Sequence, residues 1–218
     1  NNVLGGSERY SETFVPAGIG MKGISKDFYE EVPTKQPDFN PEEAKKLLSE
    51  GLKEVGVSKL PELEIIFGDS GNTKSIAEYI QENLRKNLGI EIKLGAITGK
   101  ERIQRTKQRD YQIAINNWTG DFKDPITYLD LFDSSNASNR GDFKNVRYDE
   151  LVKTVKSTAD PAIRVPAMIE MEKIISEENP VAILFQRQKK YLQDPKVKGL
   201  GFVAIGGEFN FKDLSIGK

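Results

Sequence analysis

Glu62-Leu63-Glu64-Ile65-Ile66-Phe67, then Gly68 to Gly71, then Ile76, Ile80, Leu84 and Leu88 spaced by four up to Gly89: this stretch decides the fold. Its first six residues alternate and then turn wholly apolar, as a strand does on entering a sheet covered on both faces. The glycines end that strand. The four-residue spacing predicts an amphipathic helix from Asn72, with its four apolar residues buried, and Gly89 stands where a left-handed residue stops a helix. Ile90 to Leu94 resumes the strand pattern, Gly99 to Arg109 predicts a charged helix, and Tyr111 to Ile115 predicts another strand. The order is βαβαβ. Connections of this length favour right-handed crossovers, so the fold class read here is α/β, with a mixed, mainly parallel sheet covered by helices. In such sheets ligands sit beyond the carboxyl ends of the strands.

Upstream, Asn40-Pro41-Glu42-Glu43 supplies a cap, a proline at the first helical position and acidic groups near the positive helix end, predicting a helix through Leu47 and Leu48. The opening through Gln36 holds no sustained period and is read as irregular, docked along a surface. Downstream, two helices are predicted at about Tyr148 to Thr158 and Asp160 to Glu178, followed by a strand over Val181 to Gln186. Pro166 would remove a backbone bond inside the second helix, so a kink or break is expected there.

Composition narrows the chemistry. With 37% hydrophobic and 30% charged residues in 218, the chain can bury a sizeable core, and no apolar run approaches the ~20 residues of a membrane-spanning helix. There is no Cys and no His, which removes thiol nucleophiles, His general bases, and the thiolate and imidazole metal sites. No metal and no cofactor is expected. A net charge of -1 gives no general drive toward nucleic acid or anionic membranes. The basic run Lys100 to Arg109, with Glu101 and Asp110 nearby, reads as a solvated helix face rather than a nucleic-acid patch.

The distinctive segment is Asn116-Asn117-Trp118-Thr119-Gly120-Asp121-Phe122-Lys123-Asp124-Pro125, after a strand and before a helix predicted at Ile126 to Phe132. It holds the only Trp, a Gly that permits close backbone approach, and two carboxylates three residues apart. Asp124-Pro125 reads as a helix cap and first-turn proline. Asp121 has no such local role. It is either a solvated loop acid or the partner of a ligand's ammonium group, with Trp118 as a flat wall beside it. A competing reading makes Asp121 and Asp124 the acid and nucleophile of a glycosidase-like hydrolase, although the second acid is better explained by the helix start.

Trp118-Thr119-Gly120-Asp121, followed by Asp124-Pro125 and a Tyr- and Leu-rich helix to Leu131, resembles family 5 extracellular solute-binding proteins, the substrate-binding components of ABC importers. Pro41 to Leu48, Ser75 to Ile90, Tyr148-Asp149-Glu150-Leu151 and Phe209 to Ile216 are similar to segments of that family in the same order. The resemblance implies one lobe of a two-lobed periplasmic-binding-protein-like fold. Its implied divisions are an irregular lead-in (1–39) near a lobe boundary, a C-terminal ligand-binding lobe (40–205), and a segment (206–218) returning to a first lobe that is not in this chain. Asn1 to Gly6 is similar to the end of a helix near that boundary.

What the resemblance implies for function is capture of extracellular peptides as extended strands between two lobes, delivery to ABC permease transmembrane subunits, and no enzyme activity. The ligand-binding residues it implies are Asp121, Trp118, Asn117, Thr119 and Gly120: Asp121 would receive the peptide's free amino terminus, and Asn117 and Thr119, flanking Trp118, would offer backbone groups. Nickel, haem, glutathione and oligosaccharide binders share the scaffold, and Asp121 points to peptides among them. The implied location is extracytoplasmic, as a cell-surface lipoprotein or in the periplasm.

Overall fold

The computed structural model describes residues 8–21, 23, 27–33, 39–69, 71–188, 191–202 and 209–217. From the amino end its elements are β1 (Arg9–Tyr10), α1 (Phe28–Glu31), α2 (Pro41–Glu54), β2 (Leu63–Gly68), α3 (Thr73–Leu88), β3 (Ile92–Ile97), α4 (Gly99–Gln108) and β4 (Ile113–Ala114). There follow α5 (Ile126–Leu129) with a 3-10 turn at Asp130–Phe132, α6 (Val146–Ser157), α7 (Pro161–Glu178), β5 (Phe185–Gln186), β6 (Val197–Lys198), β7 (Gly201–Phe202), β8 (Phe209–Asn210) and β9 (Ser215–Ile216). They fall into two compact units, one between residues 37 and 117, the other comprising 8–36 with 118–218.

The first unit is the predicted βαβαβ. β2 pairs in parallel with β3, from Leu63↔Ile92 to Gly68↔Ile97, and with β4 at Ile65↔Ile113 and Ile66↔Ala114. The strand order β3-β2-β4 moves one way across α3 and the other way across α4, so right-handed crossovers put the two helices on opposite faces. Three successive β2 residues, Ile65, Ile66 and Phe67, are buried, which requires cover on both faces. The start of α2 and the end of α3 follow the local signals. Asn40 accepts from the Glu43 amide at 3.1 Å. Gly89, at φ 66°, ends α3, its amide donating to Arg85 and that of Ile90 to Leu84.

One expectation here is corrected. Ile76, Ile80, Leu84 and Leu88 are only half-buried, and Ala77 is the buried residue of α3. α3 packs on β2, β3 and α2, and this cover leaves the four larger side chains part-open to solvent.

The second unit has a helical core. Tyr148, Leu151, Val152 and Val155 of α6 meet Met168, Met171, Ile174 and Ile175 of α7, with Ile126 to Leu129 alongside. Tyr148 donates to the Leu129 carbonyl at 2.6 Å, and burial pushes its hydroxyl pKa well up, so it stays a neutral donor. Asp160 caps α7 through the Ala162 amide, as its Asp-Pro start predicts. The helix runs unbroken through Pro166, against the break considered from sequence. Pro166 is exposed near the first turns, and the carbonyl it deprives belongs to exposed Ala162, where water can serve it.

The opening segment is irregular for most of its described length but does not merely lie on a surface: Val15, Ile19, Met21, Phe28 and Val32 are buried in this core. Side chains replace the missing ladder. Glu172, 2% exposed, accepts from the amides of Phe14 at 3.0 Å and Val15 at 2.7 Å, and Gln186 donates to the Ala17 carbonyl. Asn1 to Gly6 lie outside the described residues.

The strand predicted over Val181 to Gln186 reduces to β5, antiparallel to β1. Residues 203–208 lie outside the description, whereas beyond them β8 pairs with β7 and β9 with β6, both antiparallel within the chain. Tyr191, Phe202, Phe209 and Phe211 stack around these ladders.

Candidate ligand-binding site

β4 delivers the chain to Asn116 at the carboxyl edge of the sheet, where Arg102 of α4 donates to the Ile115 carbonyl and to the Asn116 side chain. Asn117 is exposed and closes the first unit. The chain returns to the second unit at Trp118, and the loop from there to Asp124 is built onto the short helix α5.

Three bonds fix this loop to two consecutive residues. The Trp118 indole nitrogen donates to the Thr127 carbonyl at 3.0 Å. The Gly120 amide donates to the Tyr128 hydroxyl at 3.1 Å, and the Asp121 amide donates to the Thr127 hydroxyl at 2.9 Å. Gly120 is buried, and a Cβ there would meet Thr127 Cγ2 at 2.8 Å and Tyr128 Cε2 at 2.9 Å, so only glycine allows this approach. The glycine therefore serves packing rather than exposure. Trp118 remains 40% exposed, with its polar edge satisfied and part of its ring open to solvent.

The two acids have opposite surroundings. Asp124 is half-buried, accepts from the Ile126 amide at 3.1 Å and forms a bidentate pair with Arg164 at 2.8 and 2.9 Å. The capping role read from sequence is present, and the ion pair, to a residue 40 positions away, was not visible there. Asp121 is exposed, and its carboxylate has neither a hydrogen bond nor an ion pair among the described residues. A two-acid hydrolytic pair gains nothing from this arrangement, because Arg164 and the helix start already occupy Asp124.

Asn117 and Thr119 are exposed, and their backbone groups have no partner among the described residues. In an extended stretch such groups, two residues apart, point to the same edge. The amides of Gly120 and Asp121 are taken by α5, whereas those of Asn117 and Thr119 have no partner among the described residues. Thr127, Tyr128 and Arg164 were missed from sequence. The first two left a faint trace, a Thr and a Tyr in a mostly apolar helix just after a Gly, and Arg164 left none. In α4, Arg105 is paired with Asp110 at 3.1 Å and with Glu64 at 3.5 Å, so the basic run is partly neutralised.

The family model described as bacterial extracellular solute-binding proteins, family 5 Middle, matches residues 1–140. The chain belongs to this family. It is 32% identical over 161 residues to the dipeptide-binding protein DppE of Bacillus subtilis, an alignment covering 74% of this chain and 30% of that protein. It superposes on the Listeria monocytogenes OppA bound to peptide with a TM-score of 0.85 at 31% identity, covering 99% of this chain and 41% of that one. On the substrate-binding domain of an oligopeptide ABC transporter from Bacillus anthracis the TM-score is 0.88 at 27% identity, over 99% and 42% of the two chains. The chain thus spans about a third of the length of the curated relatives it matches. The α/β fold read from the sequence is that of these solute-binding proteins.

Proposed function

We propose that the chain forms one lobe of a peptide-binding component of an ABC importer, with residues 8–33 part of that lobe's core and β8 and β9 paired within it. Extended peptides are held between two lobes outside the cytoplasmic membrane and passed intact to permease subunits. The observation that carries the reading is the free, exposed carboxylate of Asp121 in a loop that also carries the half-open ring of Trp118 and the unpaired backbone groups of Thr119. An extended peptide can pair its main chain with such unpaired groups, which accounts for affinity without sequence preference, while its terminal ammonium meets the one uncommitted carboxylate of the loop.

The test uses the full two-lobed protein. Asp121→Asn keeps the size of the side chain and removes its charge, leaving a desolvated ammonium without a counter-ion at a cost on the order of 2–5 kcal/mol. Calorimetry should show a large loss for a peptide with a free amino terminus and little change for the same peptide acetylated. Equal losses for both would remove Asp121 from amino-terminal recognition. Mass spectrometry of the released ligand should return the peptide uncleaved, and cleavage would overturn the non-enzymatic reading.

A further inference from the structure

Asp121 can read a ligand's charge only if its backbone is held still, because no side-chain bond orients its carboxylate. The structure supplies two anchors for that backbone, both from the first turn of α5: the Thr127 hydroxyl on the Asp121 amide and the Tyr128 hydroxyl on the Gly120 amide. Thr127 is 3% exposed and Tyr128 is 7% exposed, so neither hydroxyl is held in place by solvent. The same Thr127 holds Trp118 through its carbonyl. One residue thus ties the acid and the aromatic wall to a single rigid turn, by two different atoms. Its hydroxyl serves the acid alone, and its carbonyl serves the wall alone.

We infer that Thr127 is a positioning residue, whose hydroxyl sets where the Asp121 carboxylate stands and so confers selectivity for ligands with a free amino group. The inference rests on the peptide-binding reading above and adds to it a residue outside the loop that touches ligand. A second consequence follows from the same bonds. By accepting from the amides of Gly120 and Asp121, Tyr128 and Thr127 remove these two donors from main-chain pairing with a ligand.

The separation of the two Thr127 atoms makes the test specific. Thr127→Val keeps the shape and the carbonyl and removes the hydroxyl, so it should leave Trp118 in place and free the Asp121 amide. In the full two-lobed protein, Thr127→Val should weaken binding of a free-amino peptide about tenfold and of its acetylated counterpart about twofold or less, as loss of one hydrogen bond to a positioned group implies. Thr127→Ser, which restores the hydroxyl, should recover the preference for the free amino terminus.

A merely structural role would weaken both ligands equally and would overturn the inference, as would a Thr127→Val protein with the wild-type preference. Should Thr127→Val fail to fold, Tyr128→Phe releases the neighbouring Gly120 amide while keeping the ring, and the same loss of preference is expected; equal effects on both ligands would again overturn the inference. Wild-type protein that binds neither peptide would remove the peptide reading and this inference together. Wild-type protein that discriminates the two ligands while Thr127→Val also does so removes only the role of Thr127.

Discussion

In the sheet unit, complete burial is concentrated on β2, at Ile65, Ile66 and Phe67, with Ala77 and Ile92 beside it. In the helical unit it is spread over Val15, Phe28, Leu129, Tyr148, Met168, Met171 and Ile175, from stretches far apart in the sequence. The sheet unit is held by contacts within one stretch of the chain: α3 packs on β2 and β3, α4 on β2, and α2 on α3. The helical unit closes a core over residues from 15 to 175, using an irregular segment whose amides are satisfied by a buried glutamate. The candidate loop begins where the first kind of structure hands over to the second, and its anchors all belong to the second.

The largest expected contrast is in the cores. Leu129→Ala empties a fully buried site and should cost about 2–5 kcal/mol in denaturant unfolding of the chain. Ile80→Ala, on the half-buried stripe of α3, should cost less than about 2 kcal/mol because part of its side chain is already in water. Similar losses at both positions would mean that the sheet unit is as tightly packed as the helical one, and the comparison would break.

Next comes the link from α7 to the loop. Arg164→Met should destabilise the chain by about 1–3 kcal/mol, because it leaves a half-buried Asp124 charge with only its cap bond, discounted for partial exposure. Asp124→Asn retains a capping oxygen but strands Arg164, so it too should be destabilising, and hydrogen exchange should quicken at Ile126 to Leu129 first. Unchanged protection there would show that α5 is held by its apolar contacts alone.

A smaller effect is expected at the end of α3. Gly89→Ala places a Cβ on a residue at φ 66° and should cost about 1–2 kcal/mol, measured in the same unfolding assay. The smallest effect belongs to the exposed Arg147–Glu170 pair, at 2.7 Å. Arg147 holds the Glu170 carboxyl below the usual glutamate range, so the pair's contribution is present above that range and is lost as pH falls through the lowered folded value. Stability curves of wild type and Arg147→Met should therefore converge in acid and in high salt.

How much of this was legible in the chain differs between the units for a physical reason. The spacing of Ile76 to Leu88, the apolar run of β2 and the caps at Asn40, Gly89 and Asp160 each depend on residues within a few positions, so their pattern predicts their structure. Burial of Val15 or Met21 depends on what α6 and α7 bring to them, and no period in residues 8–33 announces it. The same division runs through the loop. Sequence alone determined the α/β order, the helix start at Asp124-Pro125 and the presence of an acid at Asp121 with no local partner to explain it. Only the tertiary structure decided that Arg164 neutralises one acid and not the other, that Gly120 is buried, and that Thr127 and Tyr128 hold the loop, because those partners meet through folding across distances that sequence spacing does not encode.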